Sequence, residues 1–234
     1  MADEKSNLDK AKDVAKDIAS DVKDEAKDTF KNIKRTMSNT DIKGDAKKTT
    51  KHITSLFRDP IDTFDSIANS KRNTSFKIAI FIIIFWTAIN LVGTVGEQEW
   101  AWGMVFKNIL GILGSLLKPL CSILILSIIT LIYERSTNKN LARSITVLTF
   151  AQVPLVIGSL FKLIDLFSTT AHYVTDPLLQ FTAVVSLVFT YLASRSLLKE
   201  TNETSTVKTF ALIQGLYFAI LIVLGFFNIG LYLI

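Results

Sequence analysis

Residues able to do chemistry are sparse in this chain of 234 residues. His52 and His172 have no second histidine or cysteine near them in sequence, and the single cysteine, Cys121, excludes an intrachain disulfide and any cysteine-only metal site. Neither a GxSxG elbow nor a glycine-rich phosphate cradle occurs, and Glu97 and Glu99 fall in a polar gap. No intramembrane pair of Glu, Asp or His is available to activate a water. The expectation is therefore a protein that is not an enzyme and that carries no cofactor.

The informative residues are polar side chains inside apolar runs, where lipid makes them expensive. Lys118 stands between LGSLL and PLCS. It either binds an anionic ligand or lipid headgroup within a re-entrant elbow, or snorkels to an interface at a helix break made by Pro119. Gln152 and Pro154 lie in the middle of another run, where the amide can hydrogen-bond a neighbouring helix and the proline can kink its own. Asn90, Gln214 and Asn228 are read in the same way. Gly111 and Ser115 form a small-xxx-small pair suited to close helix packing.

The elements that must position these residues follow from length and hydropathy. Residues 1–76 hold 16 of the 26 Lys+Arg and 14 of the 21 Asp+Glu, which divides a polar head from an apolar remainder. A bilayer core needs about 20 apolar residues. Spans are expected at about 76–94, 114–133, 144–161, 178–198 and 209–232, with the part before 114 interfacial or broken at Lys118-Pro119. The fold class is all-α, a polytopic membrane protein of five transmembrane helices with an N-terminal cytoplasmic amphipathic helical extension.

The gaps alternate in charge. GEQEWAWG (96–103) and 164–177 have no Lys or Arg, whereas ERSTNKNLAR (134–143) and the stretch around Arg195, Lys199 and Lys208 are basic. The positive-inside rule then predicts a cytoplasmic N-terminus and an external C-terminus, with Trp100 and Trp102 in an outer aromatic belt. A cleavable signal peptide is not expected, because the first 70 residues have no apolar core.

The head divides in two. In residues 8–37 an eleven-residue register repeats AKDVAKD as VKDEAKD and builds a thin, alanine-rich stripe along a nearly straight helix. Its interleaved Lys and Asp argue against nucleic acid. They leave three readings: a membrane-surface or partner-binding helix, a solvated conditional helix or tail, or a coiled coil. Residues 38–57 read as a linker, which makes 1–57 a charged head and 58–234 a membrane domain. Within that domain Asp59-Pro60 starts a short interfacial helix (59–70) with Ile61, Phe64 and Ile67 or Ala68 on one face. Lys71, Arg72 and Lys77 place positive charge beside the inner leaflet.

The DPIDTFDSI helix before the first span, the five-span layout with a cytoplasmic head, and the segment NKNLARSITVLTFAQVPLVIGSLF, with Ala151 and Pro154, together resemble the Yip family, the Ypt-interacting proteins. The resemblance covers about residues 56–234 and omits the repeat. It implies a non-enzymatic membrane protein working through helix–helix and cytoplasmic partner interactions in membrane organisation or trafficking-like processes. The eukaryotic branch is linked to Rab-type GTPases. The Lys- and Ile-rich usage here looks bacterial, so the expected location is a bacterial cell membrane and the GTPase role does not transfer. Expected partners are the lipid bilayer, membrane or cytoplasmic proteins, and a second copy of the chain. The competing reading is a small transporter or permease subunit with Lys118, Gln152 and Gln214 lining a path.

Overall fold

A computed structural model describes residues 52–69, 72–97, 105–134, 140–167, 171–198 and 203–226. The repeat of residues 8–37, Trp100, Trp102, Lys71 and Asn228 lie outside these. Seven helices are used here: α1 (Pro60–Asn69), α2 (Arg72–Glu97), α3 (Val105–Tyr133), α4 (Leu141–Ala151), α5 (Val153–Lys162), α6 (His172–Leu198) and α7 (Glu203–Phe226), with a 3-10 turn, Leu163–Leu166, extending α5.

Among the described residues four stretches are long and apolar enough to cross a membrane: Ser75–Gly96, Gly111–Tyr133, His172–Leu198 and Thr204–Val223. Leu141–Ala151 and Val153–Leu166 pass the same test together, bent by 48° at their junction, which gives five crossings where the pair is one broken span and four where it is a re-entrant loop. The expected spans fall on these stretches, the last one as far as residue 226. Short connections make the helices run alternately up and down. One end of the bundle, the near end, carries the start of α2, the end of α3, the start of α4 and the end of α6. The other, the far end, carries Gly96, Leu166 and His172.

The interior is apolar, with Trp86, Ile123, Leu148, Phe150, Phe189, Leu197 and Ile213 among its buried side chains. The exterior is apolar too: Phe81, Ile84, Phe85, Leu117, Phe181, Val188, Leu212 and Ile222 are exposed. Exposed aromatic and branched side chains on every long helix match a lipid solvent, in which apolar surface needs no covering.

Two expectations are corrected here. α3 runs unbroken through Lys118 and Pro119, with Pro119 buried inside the helix. A proline in water ends a helix cheaply because water takes up the freed carbonyl. Where the surroundings are protein and lipid, straightening the chain and packing the ring costs less. The second concerns the linker, since residues 52–58 are helical, Leu56 is wholly buried and Asp59 N–H donates to Ser55 O at 2.8 Å. Packing on the bundle therefore starts no later than residue 52.

α1 begins as its sequence dictates. Asp59 Oδ1 accepts from Asp62 N–H at 3.3 Å and its carbonyl from Thr63 N–H at 3.1 Å, while Pro60 occupies a position that needs no donor. The helix packs on α4 and α6 through Thr63, Phe64, Ile67 and Ala68. Ile61, expected on that face, is 48% exposed. At about 100° per residue it lies roughly a quarter-turn from the centre of the buried face.

Candidate functional site

The polar chemistry of the bundle gathers at three levels. In the middle is the break between α4 and α5. Pro154 has no N–H and its ring crowds the carbonyl four residues back, and here the helix entering as LARSITVLTFA stops at Ala151 and restarts at Val153. Gln152 takes φ −87° and ψ −2°. Its N–H tightens onto Thr149 O at 3.1 Å, and its carbonyl starts the next helix by accepting from Val156 N–H at 3.0 Å.

The side chain of Gln152 is used at both ends. Nε2 donates to Thr190 Oγ1 at 3.1 Å, and Oε1 lies 3.0 Å from Ser186 Oγ. The same serine hydroxyl is 3.0 Å from the Ala151 carbonyl, an acceptor that the break exposes, and its one proton serves either oxygen. Thr190 in turn donates to Ser186 O at 2.7 Å. One amide and two hydroxyls thus give the helix break hydrogen-bond partners from within the protein.

Thr182, Ser186, Thr190 and Ser194 recur every four residues on α6 and form a small, hydroxyl-bearing seam along one face. α5 and α6 make the most extensive helix contact in the structure. Gly158 allows it: a Cβ there would overlap Thr182 Oγ1 and sit 3.1 Å from both Thr182 Cβ and Leu179 Cδ1. On the other side of α5, the Trp86 indole N–H reaches Ser159 Oγ at 3.3 Å, which ties in α2.

At the near end, Glu134 is 2% exposed and its Oε1 lies 3.2 Å from Arg143 Nη1. Asn140 caps α4 in extended conformation, its Oδ1 accepting from Arg143 N–H at 3.2 Å. Both charged residues had been placed in a loop by their sequence. The structure instead locks the end of α3 to the start of α4 through them. The helical approach to α1 is anchored near the break: the His52 ring meets Phe150 edge-on at 6.1 Å between centroids, and Phe57 and Phe64 lie 5.6 and 5.9 Å from Phe189. Phe189 is the neighbour in sequence of Thr190, which holds Gln152.

Lys118 is half-buried in the middle of α3. The far end carries its own polar contacts. Lys162 Nζ stands 4.0 Å from Asp176 Oδ1, both side chains about half exposed. Thr175 donates to Asp165 Oδ1 at 2.6 Å and joins the start of α6 to the 3-10 turn.

The other sequence candidates scatter. Pro154 is buried at the start of α5. Asn90 and Gln214 are half-buried on α2 and α7, apart from the Gln152 network, and Lys77 is half-buried near the start of α2. Arg72 opens α2. Ser115 turns its hydroxyl back onto Ile112 O at 2.8 Å. Close approaches between elements occur at Gly96 against Leu166 and at Gly158 against Thr182. Among the described residues no three of His, Cys, Asp and Glu gather as metal ligands.

Fold and polar levels together define the class: the described residues are all-helical, with four helices long and apolar enough for an integral membrane protein and a further apolar pair bent at a glutamine. Comparison of the chain with protein-family models, curated proteins and solved structures finds no match.

Proposed function

We propose that this chain is a non-enzymatic, multi-pass membrane protein of Yip type, its N-terminal head in the cytoplasm, that acts through partners engaging that head and through helix contacts in the bilayer. The observation that carries this is the way the head joins the bundle. Leu56 and Phe64 are fully buried, and His52, Phe57 and Phe64 reach Phe150 and Phe189, which flank the Gln152–Thr190 contact. Whatever binds residues 1–51 therefore acts next to a segment seated against the bent α4–α5 pair. The alternation of basic and non-basic gaps supports the cytoplasmic placing.

The transporter reading loses its central residue, because both ends of the Gln152 amide are spent holding the helix break. The test uses a photo-crosslinking residue placed within 1–51 of the full chain in its own membrane. Discrete protein adducts are expected, and Leu56→Asp should abolish them while the chain still inserts. Solute movement in reconstituted vesicles that Gln152→Ala and Lys118→Ala abolish, with no adducts formed, would overturn the proposal in favour of transport.

A further inference from the structure

At the near end, Arg143 Nε and Nη2 and the hydroxyls of Ser144, Ser194 and Ser196 are buried and meet no hydrogen-bond partner. Among the described residues, Ser127 of α3 is the one serine in that state outside this end. Other buried hydroxyls of the same helices close on a carbonyl, as those of Thr130, Thr146 and Thr149 do four residues back. The want of partners is therefore local, and it is most costly at a guanidinium. Helix geometry brings these groups to one level. α4 and α6 pack on each other in opposite directions, and Gln152 marks where they meet Ser186 and Thr190. Ser144 lies eight residues back from Gln152, and Ser196 eight on from the midpoint of Ser186 and Thr190, each a rise of about 12 Å. Arg143 and Ser194 stand within about half a turn of that level.

Arg143 is already oriented. Asn140 Oδ1 holds its N–H at 3.2 Å and Glu134 Oε1 holds Nη1 at 3.2 Å. Because Glu134 takes only Nη1, the side edge of the planar group, with its parallel Nε–H and Nη2–H donors, is left over. Such an edge matches two oxygens of one oxyanion, and nearby hydroxyls can donate to the others. We propose that the side edge of Arg143, with the hydroxyls of Ser144, Ser194 and Ser196, binds a phosphate-type oxyanion, either the headgroup phosphate of an anionic phospholipid or a free phosphoanion. In the ligand-free chain both nitrogens are covered, and binding parts that cover at the flank of Arg143, 17% of whose side chain meets solvent. Glu134 is a positioning residue: it fixes the guanidinium plane, while its own charge opposes the anion and keeps the affinity moderate. The N-terminus of α4 adds a favourable partial charge. None of these groups belongs to the head, so the site stands or falls independently of the function proposed above.

The full chain, purified in detergent with phosphatidylglycerol and phosphatidylcholine in equal amount, is examined by native mass spectrometry for retained lipid. A second arm adds inorganic phosphate at millimolar concentration and follows thermal unfolding. Wild type should retain phosphatidylglycerol about tenfold over phosphatidylcholine. Arg143→Lys keeps the charge but loses the parallel donors, and should cut that preference at least about threefold. Ser144→Ala and Ser196→Ala should each weaken it about threefold and yet raise the unfolding temperature without lipid or phosphate, because each removes a buried hydroxyl that has no partner. Serines that merely hold the helices together would lose stability in every condition. Phosphate that displaces the lipid, or that stabilises wild type more than Ser144→Ala, assigns the site to free phosphoanions; a lipid preference untouched by phosphate assigns it to the headgroup. Equal lipid preference and equal response to phosphate in wild type, Arg143→Lys and Ser144→Ala would overturn the proposal, as would a wild type with neither. Should Arg143→Lys fail to fold, the uncharged serine variants decide the matter by themselves.

Discussion

Substituting Gly158 by alanine puts the α5–α6 seam to a direct test. The new methyl would overlap Thr182 Oγ1 and stand 3.1 Å from Thr182 Cβ, inside ordinary van der Waals contact, so a rotation of the hydroxyl alone does not clear it. That hydroxyl also donates to Leu179 O at 2.8 Å, a bond that turning it away would sacrifice. The helices must part, and in parting they stretch the Ser186 and Thr190 contacts to Gln152 one and two turns along the same face. Overpacking of this kind costs about 1–3 kcal/mol. For a chain of this length about 2 kcal/mol lowers Tm by about 4–8 °C, readable by thermal unfolding in lipid nanodiscs. Thr182→Ala removes the overlapping oxygen and leaves only the tight 3.1 Å approaches to Cβ and to Leu179, so Gly158→Ala/Thr182→Ala should recover part of the loss that Gly158→Ala alone suffers. A Gly158→Ala protein as stable as wild type, or a double variant as unstable as the single one, would refute the close seam.

Further outcomes follow from the same geometry. In a double-mutant cycle of Gln152→Ala and Thr190→Val, the coupling energy should be about 0.6 kcal/mol, the average for hydrogen bonds between helices in a membrane; zero coupling would mean the amide does not hold the break. Leu56→Ala should weaken docking of residues 52–69 by about 3 kcal/mol, raising their open fraction on the order of 100-fold, which limited proteolysis would register as faster cleavage there with the spans intact. With Cys121→Ala as background, Gln98→Cys should react with a membrane-impermeant maleimide on intact cells and Ser136→Cys should not; the reverse pattern would invert the orientation inferred from the basic gaps.

The spans were legible because lipid imposes one demand, about 20 apolar residues, that a single chain displays openly. The start of α1 was equally open, since Asp59 and Pro60 act within one turn of themselves. Harder to read were features that depend on what lies opposite. Lys118-Pro119 has the local form of a break, yet α3 passes straight through it, whereas Pro154 does break its span. The difference lies partly in the partners, for the Ala151 carbonyl finds Ser186 across the interface. Thr182, Ser186, Thr190 and Ser194 stand four apart in plain view, and that spacing was the available signal for the seam, but only Gly158 and Gln152 on the facing helices give it meaning. Glu134 and Arg143 stand at the two ends of a polar gap, and their pairing depends on where the ends of α3 and α4 come to lie.

The Glu134–Arg143 clasp also bears on how the chain is made. α4, with 11 residues, reaches about 16 Å, too short to cross a bilayer by itself, and it completes a crossing only when α5 and the 3-10 turn have followed. A nascent chain growing at about 5–20 residues per second takes about 2–6 s to advance from Glu134 to Leu166. During that interval neither Gln152's partners on α6 nor the seam exists. The carboxylate at the end of α3 meets its guanidinium nine residues later, as soon as Asn140 has turned the chain into α4. Of the contacts between helices described above, the ion pair thus needs the least further chain before both its partners are present.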